Sequence, residues 1–242
     1  MVDLQDLNTE EQDREIQRLV NEEAQRPFDL SKGPLFRATL LQKGVESHIL
    51  MLTMHHIISD GWSIGIFNRE LSTLYQAFCQ DQPSPLPPLP IQYADFAHWQ
   101  RQWLTGDVLE TQLNYWKKQL TGAPGLLELP TDHPRPPIQR FQGKKASLQL
   151  SPELTSKLKN LSQQTGTTLF MTLLSAFATL LSRYSGQSDI VIGSPIANRT
   201  HRQIEPLIGF LVNTLVLRID LSNNPRFEEL LRRVKQVALD AY

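Results

Sequence analysis

One cysteine, Cys79, stands among 242 residues, which excludes an internal disulfide framework and any multi-cysteine zinc site. A surplus of charge is missing too: 24 Lys and Arg face 25 Asp and Glu, for a formal net charge of -1. Coating nucleic acid or an anionic membrane calls for a basic excess, so neither is expected as a partner. No apolar run is long enough to span a bilayer. The longest, Leu169–Leu181, is interrupted by Thr172, Ser175 and Thr179. Met1–Glu15 is acidic and polar, without the basic flank and apolar stretch of a signal peptide. A soluble, reducing, cytoplasmic setting is expected. What the chain does have is 40% apolar and 8% aromatic residues, enough for a sizeable core in one or two domains.

Ten of the 16 prolines fall in two clusters, Pro83–Pro90 (PSPLPPLP) and Pro124–Pro137 (PGLLELPTDHPRPP). Proline fixes φ and removes a donor, so both stretches are expected to be extended connectors. Before the first cluster, Thr9 and Gln12 have capping-box spacing, and Ile16, Leu19, Val20 and Ala24 recur at helical spacing up to Pro27. Leu35–Leu41 and His48–Met54 read as strands joined near Lys43-Gly44. The second is apolar at every parity, which predicts a central strand covered on both faces. A helix then carries Ile64, Phe67, Leu71, Leu74, Tyr75 and Phe78 on one side.

Between the clusters, Tyr93–Trp103 and Asp107–Leu120 are helical in period and broken at Gly106. Beyond them the expected order is strand Ala146–Leu150, a helix from Pro152, a more buried helix Leu169–Tyr184, strands Ile190–Gly193 and Leu211–Ile219, and a helix opened by Asn224-Pro225. Strands separated by amphipathic helices predict an α/β architecture.

The sharpest local feature is Met54-His55-His56-Ile57-Ile58-Ser59-Asp60-Gly61-Trp62-Ser63, where a buried strand gives way to a helix. A scaffold can hold a side chain at the mouth of a cleft at such a place. Two adjacent histidines leave a strand on opposite faces, so at most one faces a given cleft and the other is expected to be packed and hydrogen-bonded. With no cysteine and no third clustered histidine, the pair lacks the ligands for a metal. Cys79 has no evident base beside it and is not expected to act as a nucleophile. Tyr93, Phe96 and Trp99 at helical spacing are readable as packing, and Arg37 as an exposed strand charge.

His55-His56-x-x-x-Asp60-Gly61 resembles the active-site motif of the condensation domains of nonribosomal peptide synthetases, within the chloramphenicol acetyltransferase-like superfamily. Three further segments resemble that family in the same order. They are Phe28-Asp29-Leu30 with Gly33-Pro34-Leu35-Phe36-Arg37, then Tyr93-Ala94-Asp95-Phe96-Ala97-His98-Trp99-Gln100, and then Ile192–Arg199 followed by Ile208-Gly209-Phe210-Leu211-Val212-Asn213-Thr214. The resemblance implies a two-lobed α/β fold with mixed sheets covered by helices, residues 1–130 forming part of a first lobe and 131–242 part of a second. The family's opening motifs, of Ser-x-x-Gln and Arg-His-x-x-Leu-Arg type, and its later His-Gln-Asp-type motif are not found. The chain is therefore expected to be the middle of a domain, with unpaired strand edges and poor solubility.

The resemblance further implies amide-bond formation between two thioesters. Each is held on the phosphopantetheine arm of an upstream or downstream carrier protein, with an adenylation domain in the same synthetase. It implies a catalytic role for His56, with His55, Asp60, Gly61 and Arg199 in support. Arg199 is expected in an ion pair with Asp60 that locks the loop carrying His56. Trp62, Ser63, Tyr93, Asp95, Trp99 and Asn213 are expected to line the substrate tunnel or pack the motifs. No metal and no directly bound cofactor are implied. Ser59–Ser63 resembles the subclass that accepts an L-configured donor. Alternatives within the superfamily are an acyltransferase using a coenzyme A thioester, although the plant-type Asp-Phe-Gly-Trp-Gly signature is not found, and an epimerisation domain. The heterocyclising variant replaces the histidine pair and does not fit. A non-catalytic copy that only docks a carrier protein is the remaining alternative.

Overall fold

The computed structural model describes residues 1–134, 136–138 and 143–242. They form two compact units of α/β character. One comprises 1–102 with 197–212, the other 103–196 with 213–242.

The first unit begins with a short strand β1 (Val2–Asp3) and helix α1 (Thr9–Gln25), followed by β2 (Phe36–Gln42) and β3 (His48–Met54). The sheet order is β1-β2-β3, parallel between β1 and β2 and antiparallel between β2 and β3, with Phe36 opposite Met54 and Gln42 opposite His48. β2 is thus the central strand and carries the fully buried Leu41. β3 is an edge of this sheet, contrary to the sequence reading: among the described residues it has one ladder partner, and Leu50 is 45% exposed. Apolar residues on both faces of a strand do not reveal which side finds a neighbour.

The α1 cap also differs by one residue. Asn8 accepts the Glu11 amide at 3.1 Å while Glu11 accepts the Asn8 amide at 3.2 Å, completing the capping box. Gln12 is not part of the cap. It is buried and its Nε2 donates to the carbonyls of Leu4 and Lys43, both at 3.0 Å, tying helix to sheet.

Helix α2 (Gly61–Phe78) follows a single 3-10 turn at His56–Ile58. It buries Ser63 and Ile66, whereas Ile64, Tyr75 and Phe78 of the expected apolar side remain exposed. Polar contacts made by the buried Ser63 hold the first turn of α2 and so fix which side turns inward. The first proline cluster has no regular secondary structure, and next comes α3 (Tyr93–Trp103). Phe96 packs with Ile204, Leu207 and Leu211, and Leu89, Ile91 and Tyr93 lie against that cluster.

The second unit holds α4 (Gly106–Leu120), α5 (Pro152–Gln164), α6 (Leu169–Ser185), β4 (Asp189–Ile196), β5 (Asn213–Asp220) and α7 (Phe227–Ala241). β4 and β5 are antiparallel, with Asp189 opposite Asp220 and Ile196 opposite Asn213. Ile190, Leu217, Ile219, Val234, Ala178 and Ala238 are fully buried in the core that α6 and α7 build on this ribbon. Arg218 forks onto Asp189 at 2.7 Å and 3.0 Å and donates to the carbonyls of Gln119 and Thr121, closing the end of α4. The expected strand at Ala146–Leu150 does not form. These side chains are exposed and have no ladder partner among the described residues, and a strand is stable only in a sheet. Arg226 is extended, with φ -64° and ψ 153°, and is the N-cap of α7, so the helix starts at Phe227 rather than at Pro225. No single helix among the described residues is long and apolar enough to cross a membrane.

Candidate active site

β3 ends at Met54, and the chain turns at His55, whose backbone N–H donates to the Leu35 carbonyl at 3.0 Å. The His55 ring points into this turn, where Nδ1 accepts the Ile57 amide at 3.1 Å, and it meets the Phe28 ring at 5.9 Å between centroids. Phe28 is itself held by Arg37, whose guanidinium lies 3.7 Å above the Phe28 ring, pairs with Glu23 and donates to the Arg26 carbonyl at 2.9 Å. Arg37 is therefore a partly buried anchor for the α1–β2 connection, which sets aside the alternative of a simple exposed strand charge.

His56 lies one residue further on and has different surroundings. It is exposed, and its ring stands perpendicular to Phe210 at 5.3 Å between centroids.

Asp60 closes the turn as the N-cap of α2. Its Oδ1 accepts the Ser63 amide at 2.8 Å and its Oδ2 accepts the Leu211 amide at 3.0 Å. Arg199 approaches the same carboxylate with Nη2, 3.2 Å from Oδ1. Both side chains are 2% exposed. Burial alone pushes the Asp60 pKa up. The Ser63 amide and hydroxyl, the Leu211 amide and the Arg199 charge together outweigh it and hold the carboxyl below its ordinary value. Such a group is a poor base near neutrality.

Arg199 also donates from Nη1 to the carbonyls of Ile204 at 2.7 Å and Leu207 at 2.8 Å. The Ser63 hydroxyl is the second hub. It accepts from Arg199 at 3.0 Å and from the Gly209 amide at 3.1 Å, and donates to the Gly209 carbonyl at 2.9 Å. Tyr93 adds a hydrogen bond from its hydroxyl to the Phe210 carbonyl at 2.9 Å. Its ring lies so close to Gly209 that a Cβ there would sit 2.2 Å from a ring carbon, which makes glycine obligatory.

The remaining expected residues divide. Gly61 opens α2, where an added Cβ would meet open space, and with Trp62, Arg69 and Arg202 it borders a cavity of about 620 Å³. The Trp62 indole N–H donates to the Glu205 carbonyl at 3.0 Å. Asp95 caps α3 through the Gln92 amide at 2.8 Å, and Asp95 and Trp99 line a cavity of about 400 Å³ with Phe96 and His201. Asn213 begins β5 in the second unit, where its side chain accepts the Thr214 amide at 2.8 Å. Among the described residues no group of three His, Cys, Asp or Glu could hold a metal ion. Sequence reasoning missed Gly209, Phe210 and Phe28 as parts of the site, although each stands in a segment with family resemblance. Their contacts span long sequence separations that no local period encodes.

Residues 1–242 match the family described as Condensation domain. A linear gramicidin synthase subunit of Brevibacillus parabrevis is 53% identical over 241 residues, 100% of this chain and 5% of that protein. Malpinin synthetase of Mortierella alpina is 53% identical over 231 residues, 96% of this chain and 3% of that protein. Among solved structures, the X-domain from teicoplanin biosynthesis superposes with a TM-score of 0.88 at 27% identity, over 99% of this chain and 53% of that one. The chain thus spans a small part of these curated relatives and about half of that solved chain.

Proposed function

Because the chain belongs to the condensation-domain family, with its chloramphenicol acetyltransferase-like α/β fold, we propose that it forms amide bonds in nonribosomal peptide synthesis. In this reading two carrier proteins deliver the substrates as thioesters on their phosphopantetheine arms. The acceptor amine attacks the donor thioester carbonyl, the C–S bond breaks, and the donor chain passes to the acceptor. An adenylation domain of the same synthetase loads the carriers, the setting is the cytoplasm, and the donor residue is L-configured. The division into two lobes near Pro130 belongs to the same proposal.

One observation carries the assignment of roles. Asp60 is buried and charge-paired with Arg199, while His56, on the turn that Asp60 closes, is exposed. His56 is therefore the side chain able to meet a substrate amine. A model α-amine has a pKa of about 7.7–8.0, so presenting it neutral at pH 7 costs only about 1 kcal/mol. Orientation of two tethered reactants can contribute about 7–11 kcal/mol, against about 10²–10⁴-fold for general base assistance. Positioning thus contributes more than proton transfer. His56 accepts a hydrogen bond from the attacking amine and takes its proton as the tetrahedral species forms. The open space at Gly61 leaves room for the substrate backbone, with the Gly61 N–H available to the developing oxyanion.

The test is carrier-to-carrier transfer by the full-length protein that carries this sequence, with L- and D-configured donors in parallel. His56→Ala should lose at least about a hundredfold in rate. Transfer at the unmutated rate would remove His56 from the chemistry, and equal use of both donors would remove the configurational preference. His55→Ala should instead lower the yield of folded protein, because His55 is held by Phe28 and the Ile57 amide.

A further inference from the structure

We infer that Phe210 is a positioning residue for His56, and that the backbone of residues 209–211 is a platform built to hold it. This inference rests on the role proposed for His56. Among the described residues the His56 ring has no hydrogen-bond partner, whereas the His55 ring is fixed by the Ile57 amide. Something else must select the His56 rotamer, since an exposed imidazole on a single 3-10 turn otherwise samples several staggered wells. Phe210 stands against that ring, perpendicular to it at 5.3 Å between centroids, the arrangement in which one aromatic edge meets the face of another.

Phe210 is 42% exposed, a costly placement for a phenyl ring that the core does not require. Its backbone, by contrast, is fastened from both sides. The Gly209 amide and carbonyl are bound to the Ser63 hydroxyl, the Phe210 carbonyl to Tyr93, and the Leu211 amide to Asp60. Leu207 and Leu211, on either side, are buried at 1% and 3% exposure. Gly209 lets the Tyr93 ring come so close that no other residue fits there. Asp60 also closes the turn carrying His56, so one carboxylate sets the relative position of both rings. A backbone fastened at four points, presenting one half-exposed aromatic to one exposed imidazole, fits a device for orientation.

Phe210→Leu, Phe210→Tyr and His56→Ala in the full-length protein, assayed for carrier-to-carrier transfer with acceptor concentration varied, test this. Phe210→Leu keeps an apolar side chain but removes the ring, and is expected to lower kcat about tenfold with acceptor KM unchanged, since orientation acts on the transition state. Phe210→Tyr keeps the ring, with its hydroxyl free to reach water, and should restore kcat to within about twofold. The thermal midpoints of both should match the parent. An unchanged kcat in Phe210→Leu beside an inactive His56→Ala overturns the positioning role and leaves His56 in place. Activity in His56→Ala overturns both. A loss in Phe210→Leu that Tyr does not restore, or that comes with a rise in KM or a fall in thermal midpoint, also overturns it.

Discussion

Asp60 and Arg199 concentrate the polar energetics of the first unit in one buried contact. A carboxyl whose folded pKa lies below its ordinary value contributes stability that is present above that ordinary value, 3.8, and lost as pH falls through the lower folded one. Stability should therefore be insensitive to this group from neutrality down to about pH 5 and decline below about pH 4. Urea titrations across that range check the sign, and Asp60→Asn should remove this acid-dependent part. Breaking the pair from one side is expensive: Arg199→Met should cost about 3–5 kcal/mol by leaving a buried carboxylate uncompensated. The double variant with Asp60→Asn should cost less than the sum of the two singles. Additivity would show that the two side chains are not energetically coupled.

At the scale of elements, the connections decide more than the helices and strands. α3 and β3 were legible in the sequence to the residue, α3 from Tyr93, Phe96 and Trp99 at helical spacing and β3 as a short apolar run that closes at His55. The edge position of β3, the missing strand at 146–150 and the inward side of α2 were not, since each depends on which neighbour arrives. The candidate site divides the same way. His55, His56 and Asp60 stand together in one string, while the Leu211 amide reaches Asp60 from 151 residues away. Gly209 marks the tightest point of that approach. Gly209→Ala would force a methyl group into the Tyr93 ring and should destabilise the fold by about 1–3 kcal/mol. The penalty should shrink in a Tyr93→Ala background, as read by thermal unfolding. An equal penalty in both backgrounds would place the clash elsewhere.

For the whole molecule, α6 sets the solution behaviour. Met171, Leu174 and Ala178 face the core, but Phe170, Leu173, Phe177, Leu180 and Tyr184 form an exposed stripe on the same helix, each at least 42% exposed. A contiguous apolar face of this kind drives association, and a net charge of -1 supplies almost no repulsion against it. The 242-residue chain should therefore self-associate and bind a hydrophobic dye. Placing charge on the stripe with Phe177→Lys and Leu180→Glu should shift its sedimentation toward the monomer. A chain already monomeric at high concentration would contradict this.

The first unit is also discontinuous, and that has a consequence in time. Leu211 caps Asp60 across 151 positions of sequence. At a synthesis rate of about 5–20 residues per second, the histidine turn emerges about 8–30 s before the segment that holds it in place. Through that interval the turn exists without its clasp. On the role proposed for His56, chemistry at this site waits until synthesis has passed Leu211, far beyond the histidine motif itself.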